Sequence, residues 1–391
     1  MRATLRPRQE KQVLRDYPWI FSNQIASVEG AATGDIVAAF TSDGRPLGQG
    51  FYHADSLIAV RLITSDPDVH IDGPFFGRRI NQALALRQTF FRGDSHYRLI
   101  FSESDGFPGT IVDRYGDTLT WTCLCFGMEQ RRDELLDILE DRLQPAAIVE
   151  RNDVWLRAKD GMAERKGVIR GQYTGPTRIV ESGLAFDVDV VEGPKTGFFL
   201  DQRLHRAFVG RLASGRTVLD VFCADGGFSL HAAAGGAASV LALDVSEKAI
   251  ARAIHNAALN DLTERIAFAP CDALDEMERL REQGRRFDLI VLDPPAFAKS
   301  RRHLEAAIGA YQRINITAFQ LLNPGGILAT SSCSHALDEK EFGKIVRYAA
   351  QKAGVSLRLL HRGCQPPDHP VLDAMPETHY LKFLVVQTVA R

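Results

Sequence analysis

The 391-residue sequence has six cysteines, Cys123, Cys125, Cys223, Cys271, Cys333 and Cys364, and no CxxC pair among them. A metal cage or a thioredoxin-like redox pair needs that close spacing, so neither is expected, and no metal with it. Scattered thiols in a large chain suggest a reducing, cytoplasmic setting. No apolar run reaches the roughly 18 residues needed to span a bilayer, so no membrane contact is expected. The opening MRATLRPRQEKQVLRDYPWIF lacks the apolar core of a secretory signal. An excess of one charge is lacking too. The formal net charge is −2, so contact with a polyanion is left to local patches. Internal repeats and low-complexity tracts are absent. What remains is 45% hydrophobic and 25% charged, enough apolar material for full cores. At about 100–200 residues per domain, the length asks for two or three of them.

Residues 1–70 read as a β-rich module. TGDIVAAF alternates as a strand, Asp43-Gly44 makes a turn, PLGQGFYH and LIAVRLIT read as further strands, and SDPD breaks the pattern. Residues 72–185 read as a small α+β unit. FFGRRINQALALRQTFF has helical apolar spacing, TIVDRYGDTLTWTCLCF makes two strands around Tyr115-Gly116-Asp117, and EQRRDELLDILEDRL is an amphipathic helix ended by Pro145. Residues 186–391 alternate strand and helix. TVLDVF, SVLALDV, FDLIVLD and ILATSSC are near-continuous apolar strands between amphipathic helices, the signature of a buried parallel sheet in an α/β, Rossmann-like fold.

The strongest local signal is the run from Thr217 to Asp244: strand, CADGGF, helix, strand. Gly226 and Gly227 allow a sharp turn and a close approach to a ligand. Asp244 ends the second strand, 24 residues after Asp220, where a carboxylate can accept both hydroxyls of a ribose. A dinucleotide site would want GxGxxG beneath a pyrophosphate. Here Ala224 holds the first glycine position and Asp225 makes the loop acidic, which suits a cationic, phosphate-free ligand such as S-adenosylmethionine. Asp272 falls where a third strand should end, positioned for an adenine amino group, and Asp293 ends a fourth. Strand C-termini converge on the ligand crevice of an open α/β sheet, and four acids there are hard to explain as solvated surface charges. The segments LDVFCADGGF, ALDVS, CDAL and DPP resemble the class I S-adenosylmethionine-dependent methyltransferases, which implies that Asp220, Phe222, Ala224, Gly226, Gly227, Asp244, Asp272 and Asp293 bind that cofactor.

Two features bear on the chemical step. Asp293-Pro294-Pro295 follows an apolar strand, and a turn of this kind orients an exocyclic amine or a base edge beside the methyl group. Cys333, in ILATSSCSH, ends the next strand and is expected to face the same crevice. Cytosine C5 is a poor nucleophile. A thiolate added at C6 turns C5 into an enamine-like carbon that can take a methyl group, after which a base removes the C5 proton and the thiolate leaves. Free cysteine is more often a small buried apolar side chain, and Cys223 and Cys271 are read that way.

YPWIFSNQI, SESDGFPGTIVDRYGD, EGPKTGFFLDQR, DPPAFAKS, TSSCSH and DHPV…YLKF, in that order across essentially the whole chain, resemble the bacterial large-subunit rRNA cytosine-C5 methyltransferases. The resemblance implies an N-terminal PUA domain, a central EEHEE domain and a ribosomal RNA substrate. It also implies Cys333 as the attacking thiolate, and a segment from Lys195 to Arg203, with Phe198 and Gln202, lying over the cofactor. Some relatives carry a second cysteine where this chain has Pro295, so a single-cysteine mechanism is implied.

For RNA contacts, Arg6, Arg8 and Lys11 lie in a basic N-terminal cluster, and Lys299, Arg301 and Arg302 follow DPPAF. Tyr17, Trp19 and Phe21 could stack on a base, but Trp19 and Phe21 are read first as core of the small module. A homodimer is left open. Two other functions stay in view: methylation of an exocyclic amine such as guanine N2 through Asp293-Pro294-Pro295, and a non-catalytic RNA-binding factor that kept the fold.

Overall fold

Strands begin at the second residue. In the computed structural model, which describes residues 1–297 and 304–389, the first strands are β1 (Arg2–Leu5), β2 (Trp19–Phe21), β3 (Ile25–Glu29), β4 (Ile36–Phe40), β5 (Pro46–Tyr52) and β6 (Ile58–Thr64). They form a six-stranded sheet in the order β2-β6-β5-β4-β1-β3. β1 shows the cause in miniature: Ala3 and Leu5 point into the core beside Val37, Ile20 and Val60, while Arg2 and Thr4 alternate outward. β1 lies inside the sheet between β4 and β3, and the basic cluster of Arg6, Arg8 and Lys11 follows it on the surface.

Asp72 opens helix α1 (Gly73–Phe90), its Oδ1 accepting the Phe75 N–H at 2.9 Å. A second sheet follows in the order β11-β10-β9-β8-β7, built from β7 (His96–Phe101), β8 (Thr110–Tyr115), β9 (Thr118–Cys123), β10 (Ala147–Asn152) and β11 (Arg165–Gly171). Helices α2 (Phe126–Glu129) and α3 (Arg132–Leu143) complete this part, and α1 and α3 share its core of Phe76, Phe107, Trp121, Leu136 and Ile148. Both sheets belong to one compact unit, which also takes in residues 188–200 and 367–378. Arg87, fully buried, makes a two-pronged pair with Asp105 at 2.6 and 2.7 Å and donates to the Asp368 carbonyl at 2.8 Å. Tyr17 donates to Glu377 at 3.0 Å. These bonds tie the late segment in.

Short strands β12 (Thr177–Glu181) and β13 (Leu184–Val188) come next, and the second unit takes in residues 180–187 of them together with residues 201–366 and 379–391. There α4 (Arg203–Leu212), β14 (Thr217–Val221), α5 (Gly227–Ala234), β15 (Ser239–Asp244), α6 (Glu247–Leu259), β16 (Ile266–Pro270), α7 (Ala273–Glu282), β17 (Phe287–Leu292), α8 (Leu304–Leu321), β18 (Leu322–Ser332), α9 (Glu339–Lys352), β19 (Ser356–Gly363) and β20 (Lys382–Val389) follow in turn. The sheet order is β16-β15-β14-β17-β18-β20-β19. β16 to β18 run parallel, and β20 inserts antiparallel between β18 and β19. The order reverses between β14 and β17, which opens a crevice at their C-terminal ends. β18 starts earlier than its apolar run: Leu322 pairs Phe287, Ile327 pairs Leu289, and residues 323–326 bulge between. Among the described residues no helix is long and apolar enough to cross a membrane.

Candidate active site

The crevice is lined first by the turn from β14 into α5. Phe222 (φ 68°) and Ala224 (φ 47°) adopt the left-handed conformation, as does Gly226 (φ 83°). Glycine accepts that geometry freely, whereas a residue with a Cβ is strained by about 1–2 kcal/mol. The alanine in the first glycine position is therefore held under strain at the site itself. The two glycines also have a packing task. A Cβ on Gly227 would meet Arg206 Cδ at 2.7 Å, and one on Gly226 would meet Leu230 Cδ1 at 2.8 Å, so both serve helix packing.

Asp220, at the end of β14, is buried. Ser229 of α5 donates to its Oδ2, while Oδ1 has no hydrogen-bond partner among the described residues. Burial pushes the carboxyl up to about 7, and nearby Asp293 and Asp244 add to the rise against the Ser229 hydrogen bond. A buried acid with an open oxygen, surrounded by other acids, suits a cation with N–H donors. That is the chemistry of the S-adenosylmethionine ammonium and sulfonium, so these residues fit the cofactor.

Asp244 ends β15. Its Oδ2 accepts the Ala224 N–H at 3.0 Å and its Oδ1 the Ser246 N–H at 2.9 Å. Each oxygen keeps lone-pair capacity for a ribose hydroxyl. Two further acids have partners within the protein. Asp225 is buried and paired with Arg252 of α6 at 2.9 Å, so its charge is already answered within the protein. Asp272 is exposed and caps α7, with Oδ1 accepting from Leu274 N at 2.9 Å and Asp275 N at 3.2 Å. An Asp before a helix has this structural use whatever else it does.

Asp293 follows β17 and is half-buried. Gln202 donates to its Oδ1 through Nε2 at 2.8 Å, and Ser331 Oγ bonds the same oxygen. Gln202 Oε1 in turn lies 2.6 Å from His205 Nδ1. An amide oxygen only accepts, so His205 donates there. His205 stacks on Phe383 at 4.0 Å, and burial lowers it to about 3, keeping the ring neutral.

The register Leu292↔Thr330 between β17 and β18 sets Ser331 level with Asp293, whose carboxylate its Oγ bonds, and Cys333 follows two residues on, just past the end of β18. Its turn is clamped from two sides. Ser332 donates to the Tyr311 hydroxyl at 2.9 Å and Ser334 Oγ lies 3.1 Å from it, while Lys382 Nζ donates to the Ser334 carbonyl at 2.7 Å. Cys333 is half-buried. Cys223, by contrast, is buried, and burial together with Asp220 and Asp244 holds its thiol well above the usual range.

The structure thus places Asp220, Phe222, Ala224, Gly226, Gly227, Asp244, Asp293 and Cys333 at the C-terminal ends of β14, β15, β17 and β18, with Gln202 bonded to Asp293 and Asp272 two residues past the end of β16. Phe198 belongs to the first unit, where its backbone N–H and C=O both bond the Tyr115 hydroxyl, at 3.1 and 3.2 Å. Arg6, Arg8 and Lys11 are exposed, and Arg6 donates to the Ile25 carbonyl at 3.1 Å. Trp19 is half-buried, with its indole N–H on Glu103 at 2.8 Å and Arg61 over its ring at 5.1 Å. Lys299, Arg301 and Arg302 lie outside the described residues. Sequence reasoning missed His205, Ser331 and Lys382. Only Lys382 carried a signal, as a lone cation opening an otherwise apolar strand, KFLVV.

A family model described as S-adenosylmethionine-dependent methyltransferase matches residues 164–385, and a PUA-like domain model matches residues 3–65. The ribosomal RNA large subunit methyltransferase I of Shewanella denitrificans is 43% identical over 99% of each chain. The protein of that name from Tolumonas auensis is 44% identical over 98% of each. A protein described as a methyltransferase and solved in complex with SAH shares the fold, with a TM-score of 0.87 and 22% identity over 99% of this chain and 100% of that one.

Proposed function

The chain belongs to the S-adenosylmethionine-dependent methyltransferases, and from that premise we propose that it methylates C5 of a cytosine in large-subunit ribosomal RNA, with Cys333 as nucleophile. The observation that supports this reading is the pairing of β17 with β18, which puts Ser331 on Asp293 and a half-buried cysteine two residues further along, just past the end of β18. A methyltransferase acting on an amine lone pair has no use for a thiol there. The names of the full-length relatives support the ribosomal substrate, and a ribosomal substrate in turn supports a cytoplasmic setting.

When bound, S-adenosylmethionine supplies an electrophilic methyl group. Asp220 faces the cationic end, Asp244 accepts the ribose hydroxyls, and Asp272 keeps its uncommitted oxygen for the adenine edge. Phe222, Ala224, Gly226 and Gly227 form the wall of the turn. The Cys333 thiolate adds to C6 of the cytosine, and the electron pair moves into the ring. Asp293, oriented by Gln202 and Ser331, holds the base edge and stabilises the adduct. After C5 is methylated, a base takes the C5 proton, the electron pair of that C–H bond restores the C5–C6 double bond, and the thiolate leaves with the C6–sulfur pair. In the same reading, residues 1–70 dock RNA through Arg6, Arg8 and Lys11, residues 72–185 form the central domain, and residues 186–391 carry out methylation.

The direct test is to incubate the protein with unmodified large-subunit rRNA and isotopically labelled S-adenosylmethionine, then identify the labelled nucleoside by mass spectrometry. 5-Methylcytidine is expected. N2-methylguanosine would overturn the cytosine reading.

Asp220 adds a prediction about pH. Burial holds its folded carboxyl up near 7, so part of it is protonated at neutral pH. A bound cation favours the ionised form. Cofactor binding should therefore release protons near pH 7 and tighten as pH rises through that range. Titration calorimetry in buffers of different ionisation enthalpy measures the release. It should vanish in Asp220→Asn, and no release in the wild type would remove Asp220 from the cation's side.

A further inference from the structure

Lys382 is a lysine with almost no contact with water, 2% exposed. It opens β20 directly opposite Ser332, the last residue of β18. Its Nζ donates to the carbonyls of Ser334 and Tyr380, both at 2.7 Å. The ammonium is therefore fixed against the turn whose middle residue is Cys333. A lysine is seldom buried without a charge to answer. The two carbonyls satisfy part of its donor capacity but carry no formal charge.

We propose that Lys382 is a positioning residue for Cys333: its tethered ammonium holds the turn at residues 332–334 and favours the thiolate form of the cysteine. This rests on the reading of Cys333 as the nucleophile. Placed this way, Lys382 supplies what a thiol needs to ionise near neutral pH, a fixed cation within a low-dielectric wall. The proton leaves Cys333 to solvent, since Lys382 is itself protonated.

Electrostatics agree with the geometry. Burial lowers the Lys382 ammonium to about 8, while Cys333 and Asp338 act against that fall. Among the described residues, the other ionisable groups around the turn are Asp293, bonded by Ser331 two residues before Cys333 and opposing a thiolate, with Asp338, Tyr311 of α8, Tyr380 and His335. The Tyr311 hydroxyl is held by Ser332 and Ser334, and burial raises it. Tyr380 donates to Asp201 at 2.6 Å, and His335 stacks on its ring at 5.4 Å. Of these, Lys382 is the cation that touches the turn's own backbone. Above about pH 8 it loses its charge, so the thiolate and its partner coexist in a window below that value.

The test follows Cys333 alkylation by iodoacetamide against pH in the full-length protein, resolved by peptide mass spectrometry, with S-adenosylmethionine binding as the check of folding. In the wild type the Cys333 midpoint should lie below the ordinary thiol value of about 8.5. Lys382→Met should raise it by about one unit or more, the shift expected on losing a neighbouring charge, and slow alkylation at pH 7 by about tenfold. Lys382→Gln, which keeps a donor for the carbonyls but no charge, should behave like Lys382→Met. Lys382→Arg should restore the low midpoint. A wild-type midpoint at or above 8.5, or an unshifted midpoint in either neutral variant that still binds cofactor, overturns the proposal. Alkylation reads the thiol without methyl transfer. A failure here is thus distinct from a failure of the nucleophile reading, which shows instead as retained methyl transfer without Cys333.

Discussion

Cys333→Ala is expected to reduce methyl transfer by roughly a thousandfold or more, the scale on which an enzyme feels the loss of its nucleophile. Cofactor affinity should stay within about twofold, because Asp220, Asp244 and the β14–α5 turn do not depend on the thiol. Scintillation counting of methylated rRNA and calorimetric titration measure the two effects separately. RNA carrying 5-fluorocytosine should also trap the wild-type protein. Fluorine cannot leave as a cation, so the C6–sulfur bond persists and a covalent complex survives denaturing electrophoresis. Cys223→Ala should still form that complex, since Cys223 is buried with its thiol held well above neutral pH. Substantial activity in Cys333→Ala would move the chemistry to amine methylation through Asp293 and Pro294.

Glu181→Ala should be the most damaging structural substitution near the site. Glu181 and Arg206 form a two-pronged pair at 2.6 and 2.7 Å, with both side chains at most 3% exposed. Removing the acid takes the two-pronged carboxylate partner away from a buried guanidinium, and breaking a buried pair in this way is destabilising by about 3–5 kcal/mol. Urea denaturation followed by circular dichroism measures it, and a loss below about 1 kcal/mol would show the pair to be of little weight. The damage should reach the cofactor turn, because Arg206 packs against Gly227. The pair also sets a limit in acid. Burial alone would push Glu181 up, but the charge and hydrogen bonds of Arg206, with His231 and Arg203, carry it down to about 2. A depressed acid stabilises the fold above its unfolded pKa. That contribution is lost as pH falls from about 4.5 towards 2, so Glu181→Gln should flatten the acid limb of the stability curve.

The sequence made the second unit legible because its strands and helices alternate and its acids end the strands. Asp220, Asp244, Asp293 and Cys333 all lie where strand order and the Rossmann rule put them. The first three strands were not legible: they are three to five residues long, and β1 carries an arginine on its open face. Roles that depend on a distant partner were hidden too. Asp225 looks like an acid offered to a ligand until Arg252, 27 residues on, is seen to hold it. Asp272 has the same letter as its neighbours along the crevice, yet the helix it begins claims one of its oxygens. His205 could not be tied to Asp293 without the intervening side chain of Gln202, 91 residues from its partner.

The late segment at residues 367–378 affects how the chain is made. The first unit includes that segment, and the buried Arg87 takes a carbonyl from Asp368 as well as the carboxylate of Asp105. At about 5–20 residues per second, ribosomes need roughly 10–35 s to travel from residue 200 to residue 378. Through that interval the nascent chain presents both N-terminal sheets with one set of contacts still unmade. Arg87 can already pair with Asp105, so the sheets have a local anchor while they wait. Chaperones and proteases would meet this incomplete state during translation, and a stop codon before Pro367 would make it permanent.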